Sequence, residues 1–223
     1  MTWLLDDLDG GPDTPQAVQV DEQLLAGLNP QQREAVLYRG PALLIVAGAG
    51  SGKTSVLTRR IAGLIASREA WSSQILAITF TNKAAAEMRE RIRGLVGDDA
   101  NGMWISTFHS ACVRILRRQA EVMGLRQGFT IYDTADSRAL LKRILKELDA
   151  DTLGLSVAGV ANRISKLKNE LTDVERFARQ VNADDPKESA FLELYRRYTA
   201  GLRRANALDF DDLIAETVYL FRA

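Results

Sequence analysis

The stretch Ala47-Gly48-Ala49-Gly50-Ser51-Gly52-Lys53-Thr54 leaves this chain few folds to choose from. It follows an apolar run, Ala42–Val46, and precedes apolar residues at helical spacing, Val56, Leu57, Ile61, Leu64 and Ile65. Strand, glycine-rich turn and helix, in that order, are the setting in which such a run binds phosphate. The glycines let the backbone turn tightly, so that several N–H groups and the helix N-terminus face one anion. Lys53 can then reach the β/γ-phosphates, and the Thr54 hydroxyl can ligate Mg²⁺. Ser55, next on the helix, lies on the same nucleotide side. Ala47 stands where a first glycine is usual, and a small side chain at a strand exit fits there.

The rest of the chain suits an α/β unit joined to a helical one. Ile75–Phe80 and Met103–Thr107 join Ala42–Val46 as runs expected to be buried parallel strands. Helical patterns over Thr54–Ser67 and Lys83–Leu95 separate them, an alternation that argues for a parallel sheet. Before the loop, Asn29 suits a helix cap and Pro30 the first helical position. From about 110 to 206 the strand signal disappears. Leu140, Leu141, Ile144, Leu145 and Leu148 share a helical face opened by an Asp133-x-x-Asp136 cap. Val160, Ile164, Leu167 and Leu171 form a second face, and Phe191, Leu194, Tyr195, Tyr198 and Leu202 a third. Near the end, Leu208-Asp209-Phe210-Asp211-Asp212-Leu213 reads as the capped start of an amphipathic helix, not as a metal-holding strand.

Charge and composition narrow the function classes. The net charge is zero, but residues 1–27 hold Asp6, Asp7, Asp9, Asp13, Asp21 and Glu22 and no Lys or Arg. The remainder therefore has a modest positive surplus, which suits a polyanion partner. With Gly10-Gly11-Pro12 and Thr14-Pro15, residues 1–27 read as a flexible acidic tail. One cysteine, Cys112, excludes an internal disulfide and agrees with a cytoplasmic setting. It falls within a helical pattern, as a packed thiol does. No run is long and apolar enough for a membrane span. His109 is the sole histidine, so paired-histidine metal chemistry is excluded.

Several residues admit two readings. Gln32 has a carboxamide that matches the N6 and N7 edge of adenine, or is simply a solvated helix residue. Arg60 belongs to the nucleotide side or to the surface. Phe80, Thr81, Asn82 and Lys83 leave a strand exit, and Thr107, Phe108 and His109 leave another. Hydroxyls, amides and aromatic rings at such exits suit single-stranded nucleic acid, or else cap helices with Phe80 in the core. Basic residues at Arg114, Arg117, Arg118, Lys142, Arg143, Lys146, Lys166, Lys168, Arg196, Arg197, Arg203 and Arg204 are a polyanion surface or ordinary solvated faces.

Taken together, the motifs resemble superfamily-one DNA helicases of the UvrD/PcrA/Rep group, with the greatest likeness to the PcrA/UvrD branch. The likeness runs from Leu28 to the C-terminus. It rests on Leu28-Asn29-x-x-Gln32, the Ala47–Thr54 loop, Thr79-Phe-Thr-Asn-Lys-Ala-Ala85, Ile105-Ser-Thr-Phe-His109 and Leu208–Leu213. The resemblance implies a RecA-like ATP-binding domain over 28–114 and 206–223, with an inserted helical subdomain over 115–205 that meets duplex DNA. It implies that Gln32 contacts adenine, that Lys53 and Thr54 handle ATP and Mg²⁺, and that Arg60 supports the nucleotide. Phe80, Asn82, Thr107 and His109 would then line the single-stranded DNA path. Such enzymes couple ATP hydrolysis to 3′→5′ movement in replication or repair. The family's Asp-Glu motif, second RecA-like domain and arginine finger are not found here. The expectation is thus an N-terminal portion with weak binding and negligible turnover of its own. A non-enzymatic nucleic-acid-binding fragment and the front of a recombination helicase–nuclease remain alternatives. A small-molecule kinase would explain only the loop.

Overall fold

The computed structural model describes residues 22–48 and 50–223; the acidic stretch through residue 21 and Ala49 lie outside them. The chain divides into two compact units, one ending at Ser106 and the other running from Thr107 to Ala223.

In the first unit, helix α1 (Glu22–Leu25) buries Leu24 and Leu25 beside Val36, Val56 and Ala62. Helix α1 thus lies inside the stretch expected to be a tail, because two leucines find an apolar face to cover. Helix α2 (Pro30–Leu37) begins as its sequence suggests. Asn29 Oδ1 accepts from the Gln32 N–H (2.8 Å), Gln32 Oε1 accepts from the Asn29 N–H (3.0 Å), and Pro30 takes the first turn. Helix α3 (Lys53–Ala66), strand β1 (Leu76–Thr79), helix α4 (Asn82–Val96) and strand β2 (Trp104–Thr107) follow. β1 and β2 are hydrogen-bonded neighbours. Ile61, Ile65, Ala77, Ala85, Met88, Ile92 and Ile105 form the core beneath them.

The expected strand Ala42–Val46 is not formed. The segment carries no ladder, and Leu44 and Val46 are each 86% exposed. An apolar run becomes a central strand only where neighbours take its N–H and C=O groups and cover both faces. Among the described residues, β1 and β2 pair only with each other.

The second unit opens with helix α5 (Phe108–Arg118) and strand β3 (Thr130–Tyr132). Helices α6 (Thr134–Glu147), α7 (Val157–Asn169), α8 (Val174–Ala178) and α9 (Pro186–Arg204) come next, then strand β4 (Ala207–Asp209) and helix α10 (Phe210–Arg222). The three helical faces read from sequence meet in one core, with Leu141, Val160, Ile164, Phe191, Leu194, Tyr198 and Leu202 buried together. Each large side chain so buried contributes about 1.5–3 kcal/mol. Asp133 caps α6 by accepting from Ala135 and Asp136 N–H groups, and Asp136 reciprocates. Gly201 lets α9 approach α6, since a Cβ there would lie 3.3 Å from Leu140 Cδ1 and Cδ2.

β3 was invisible in the sequence. It is three residues long, and its parallel partner is β4, in the register Thr130↔Ala207, Ile131↔Leu208, Tyr132↔Asp209. A pairing this remote leaves no local periodicity to read. Asn206 enters β4 at φ +50°, a left-handed conformation that Asn tolerates. Its Oδ1 accepts from the Arg126 N–H, 80 residues away, and its carbonyl accepts from Thr130 N–H (2.9 Å). Cys112 is partly buried against the cluster of Leu116, Leu125, Phe129, Leu208 and Leu213, a packed thiol as expected.

Candidate nucleotide and nucleic-acid site

The loop before α3 turns through Gly50 (φ +75°) and Gly52 (φ +80°), conformations that cost L side chains about 1–2 kcal/mol. Ser51 closes the turn, its Oγ donating to the Gly48 carbonyl (2.7 Å). Gly52 is the N-cap of α3 and provides no side-chain cap, so the helix starts with N–H groups open to an anion. Lys53 extends over the same loop, its Nζ donating to the Ala47 and Gly48 carbonyls at 2.5 Å each. Thr54 is exposed at the second position of α3, and Ser55 is partly buried beside it. Ala49 lies outside the described residues.

Gln32 is not a free surface residue. Its Oε1 completes the α2 capping box, and its Nε2 donates to the Ser51 carbonyl (3.0 Å). The carboxamide thus ties α2 to the loop, and both of its polar ends are engaged internally.

Arg60 faces α2. Its Nη1 donates to the carbonyls of Ala35 (3.0 Å), Val36 (3.4 Å) and Tyr38. The guanidinium also lies 5.9 Å from the centre of the Tyr38 ring. Helix C-termini expose carbonyls that cations satisfy well. Partial burial, then the Arg39 charge beside it, draws the Arg60 pKa down. Arg39 reinforces the junction through the same Val36 and Tyr38 carbonyls and a two-pronged pair with Glu69.

At the exit of β1, Thr81 caps α4, its Oγ1 accepting from the Ala84 N–H (3.1 Å). That much agrees with the helix-cap reading. Phe80 does not go into the core: it is 91% exposed. Asn82 and Lys83 form the exposed first turn of α4. At the exit of β2, Thr107 caps α5 by accepting from the Ser110 N–H (3.3 Å). Phe108 and His109 follow on the exposed first turn. The His109 imidazole meets the Phe210 ring edge-to-face, centroids 5.7 Å apart and planes at 76°.

The structure adds a group that sequence reasoning missed. Lys168 is 5% exposed, and its Nζ lies 2.6 Å from Asp209 Oδ2 and 2.7 Å from Asp212 Oδ1. Tyr198 also donates to Asp209 Oδ2 (2.8 Å), while the two aspartates cap α10 reciprocally. Lys168 had looked like one more polar-face lysine. Only its position two residues from a solvated neighbour, Lys166, hints that it points the other way. Burial pulls the Lys168 ammonium down, but the two carboxylates together outweigh it and hold the pKa up. One ammonium cannot neutralise two buried acids. Burial raises both carboxyls, yet Lys168 and Tyr198 keep Asp209 low, leaving Asp212 pushed up to about 6.

Several other basic residues of this unit are spent on internal pairs. Arg163 forks onto Glu188, Arg197 and Arg196 hold Glu193, and Arg203 pairs with Glu216. For Arg196, Arg197 and Arg203, ion pairing accounts for the charge without a polyanion. No helix of the described residues is long and apolar enough to cross a membrane.

Residues 28–223 match the family model described as the UvrD/REP helicase N-terminal domain. The chain is 58% identical over 204 residues to the ATP-dependent DNA helicase UvrD1 of Mycobacterium tuberculosis, covering 91% of this chain and 26% of the relative. It is 48% identical over 202 residues to the ATP-dependent DNA helicase PcrA of Bacillus subtilis, covering 91% and 27%. PcrA of Leuconostoc citreum is 46% identical over 203 residues, with the same coverage. The chain spans about a quarter of the length of these relatives. With the match running through nearly all of the described residues, the chain belongs to the UvrD/REP helicase family, in its N-terminal domain.

Proposed function

We propose that this chain supplies the nucleotide-gripping and strand-contacting part of an ATP-dependent 3′→5′ DNA helicase of replication or repair, working in the cytoplasm. The observation that carries this is the loop. An uncapped α3 N-terminus, two glycines at positive φ and the Lys53 ammonium converge where a triphosphate would lie. The donor set fits an anion: N–H groups and a cation, with no carboxylate of the described residues bonded to Lys53. Phosphate would draw Lys53 from the Ala47 and Gly48 carbonyls, and Thr54 is placed to hold Mg²⁺, which would screen the phosphate charge. Gln32 sets the loop's shape through Ser51, and turning its carboxamide outward would free it for adenine. Arg60 acts on this site through α2.

In the same reading, 28–114 with 206–223 form the RecA-like part and 115–205 the inserted subdomain that meets duplex DNA. Phe80, Thr81, Asn82, Lys83, Thr107, Phe108 and His109 contact single-stranded DNA. Exposure of Phe80 (91%) and Phe108 (45%) beside capped helix starts supports this, since bases stack on solvent-accessible rings and phosphates favour helix N-termini. Asp209 and Asp212 are not metal ligands, because Lys168, Tyr198 and each other's N–H groups occupy their oxygens. Lys53→Ala should weaken binding of a Mg²⁺–ATP analogue by roughly 10- to 150-fold, the loss of one charged contact to phosphate. Calorimetric titration measures this, and an unchanged affinity would remove the phosphate-loop assignment.

A further inference from the structure

We infer that Lys168 is a positioning residue for the nucleic-acid contact at His109: it clamps the Asp209–Asp212 turn, which fixes Phe210, whose ring sets the imidazole. The nucleic-acid part rests on the proposed reading of His109; the positioning part does not.

Phe210 lies between the two clamped aspartates as the first residue of α10. Phe210 is 49% exposed, so packing alone does not hold it. The backbone on either side is held instead. Asp209 and Asp212 each accept the other's N–H (2.9 and 3.1 Å), and Lys168 Nζ bridges the two carboxylates. Asp209 is also the last residue of β4, paired opposite Tyr132, so the turn cannot shift along the strand. Phe210 then presents its ring to His109 on the first turn of α5. The chain of contact is Lys168, Asp209 and Asp212, Phe210, His109, all within the second unit.

A buried ion cluster is a poor way to gain stability, because apolar residues of similar volume often do as well or better. Its distinctive property is a fixed geometry, and here the geometry is delivered to an exposed aromatic pair. Tyr198 serves the same end from α9, donating to Asp209 Oδ2. A lysine reaching from α7 to the start of α10 thus sets an aromatic contact that it never touches.

Because His109 is the only histidine, its imidazole proton resonances report on this site without overlap. Phe210→Leu defines the spectrum when the neighbouring ring is absent. Lys168→Met in the full chain should move the His109 resonances toward that spectrum, and Lys168→Arg should restore them. Lys168→Met should also weaken binding of an oligo-dT strand roughly 5- to 100-fold, the loss of one base–aromatic contact. Affinity for a Mg²⁺–ATP analogue should change less than twofold. Should Lys168→Met fail to fold, Asp212→Asn keeps the Asp209 pair and carries the same readouts. Unmoved His109 resonances in a folded variant would overturn the positioning role. Moved resonances with unchanged oligo-dT affinity would leave positioning intact and overturn its nucleic-acid purpose. A wild-type chain that binds no oligo-dT would sink the reading of His109, and the resonances alone would still decide whether Lys168 positions it.

Discussion

Replacing Lys168 with Met should cost far more than the same replacement at Lys166, two residues earlier on α7. The Lys166 side chain is 75% exposed, with one loose contact to Glu170 at 3.9 Å. Exposed pairs of that kind contribute about 0.3–0.5 kcal/mol. The Lys168 side chain is 5% exposed, and its partners Asp209 and Asp212 are 11% and 12% exposed. Removing it leaves two buried carboxylates facing each other without a cation, a change that costs about 3–5 kcal/mol. The cost must also depend on pH. In the wild type, burial pushes the Asp212 carboxyl up to about 6, above its ordinary 3.8. A raised carboxyl pKa gives stability that is fully present below the unfolded value and lost as pH rises through the folded one. Without Lys168 that folded pKa climbs further, so the variant keeps a proton which the wild type has already released. The gap between the two should therefore widen above pH 6, by on the order of 1 kcal/mol between pH 5 and 7.5. Urea unfolding followed by far-UV circular dichroism, on both variants at both pH values, measures these differences. A gap between Lys168→Met and Lys166→Met below about 1 kcal/mol would refute the buried-clamp reasoning. A gap that did not grow with pH would refute the placing of the extra proton on Asp212.

Two further predictions follow from the loop and its support. Arg60→Ala leaves Val36 and Tyr38 carbonyls with Arg39 but strips Ala35 of its donor. The expected loss is about 1.5–3 kcal/mol in thermal melts, with nucleotide affinity changed less than threefold. A large affinity loss without a stability change would put Arg60 back on the nucleotide. Gly52→Ala places a Cβ at φ +80° and 3.0 Å from Gln32 Nε2. It should lose about 1–2 kcal/mol by the same melts and break the Gln32–Ser51 bond, and an unchanged melting point would mean the loop relaxes freely.

Much of this protein was written in short-range sequence. The Asn29 and Asp133 helix caps, the Gly52 turn into α3 and the apolar faces of α6, α7 and α9 all depend on residues within a few positions of one another. Local geometry is enough to specify them, and they stand as read. The capped start at Asp209–Asp212 was legible for the same reason. Tertiary structure decided the rest. Whether Ala42–Val46 becomes a strand depends on neighbours that its composition cannot supply. β3 exists only because β4 lies beside it. Whether Gln32 and Arg60 face solvent or the protein depended on carbonyls at Ser51 and Ala35, 19 and 25 residues away. Lys168 is the clearest case: a lysine code says only that a charge exists, and burial between two aspartates 41 or more residues away gave that charge its task. Sequence fixes which groups a chain owns and how its nearest neighbours bend; long-range packing selects which of those groups lose their water, and that loss is what makes a charge act.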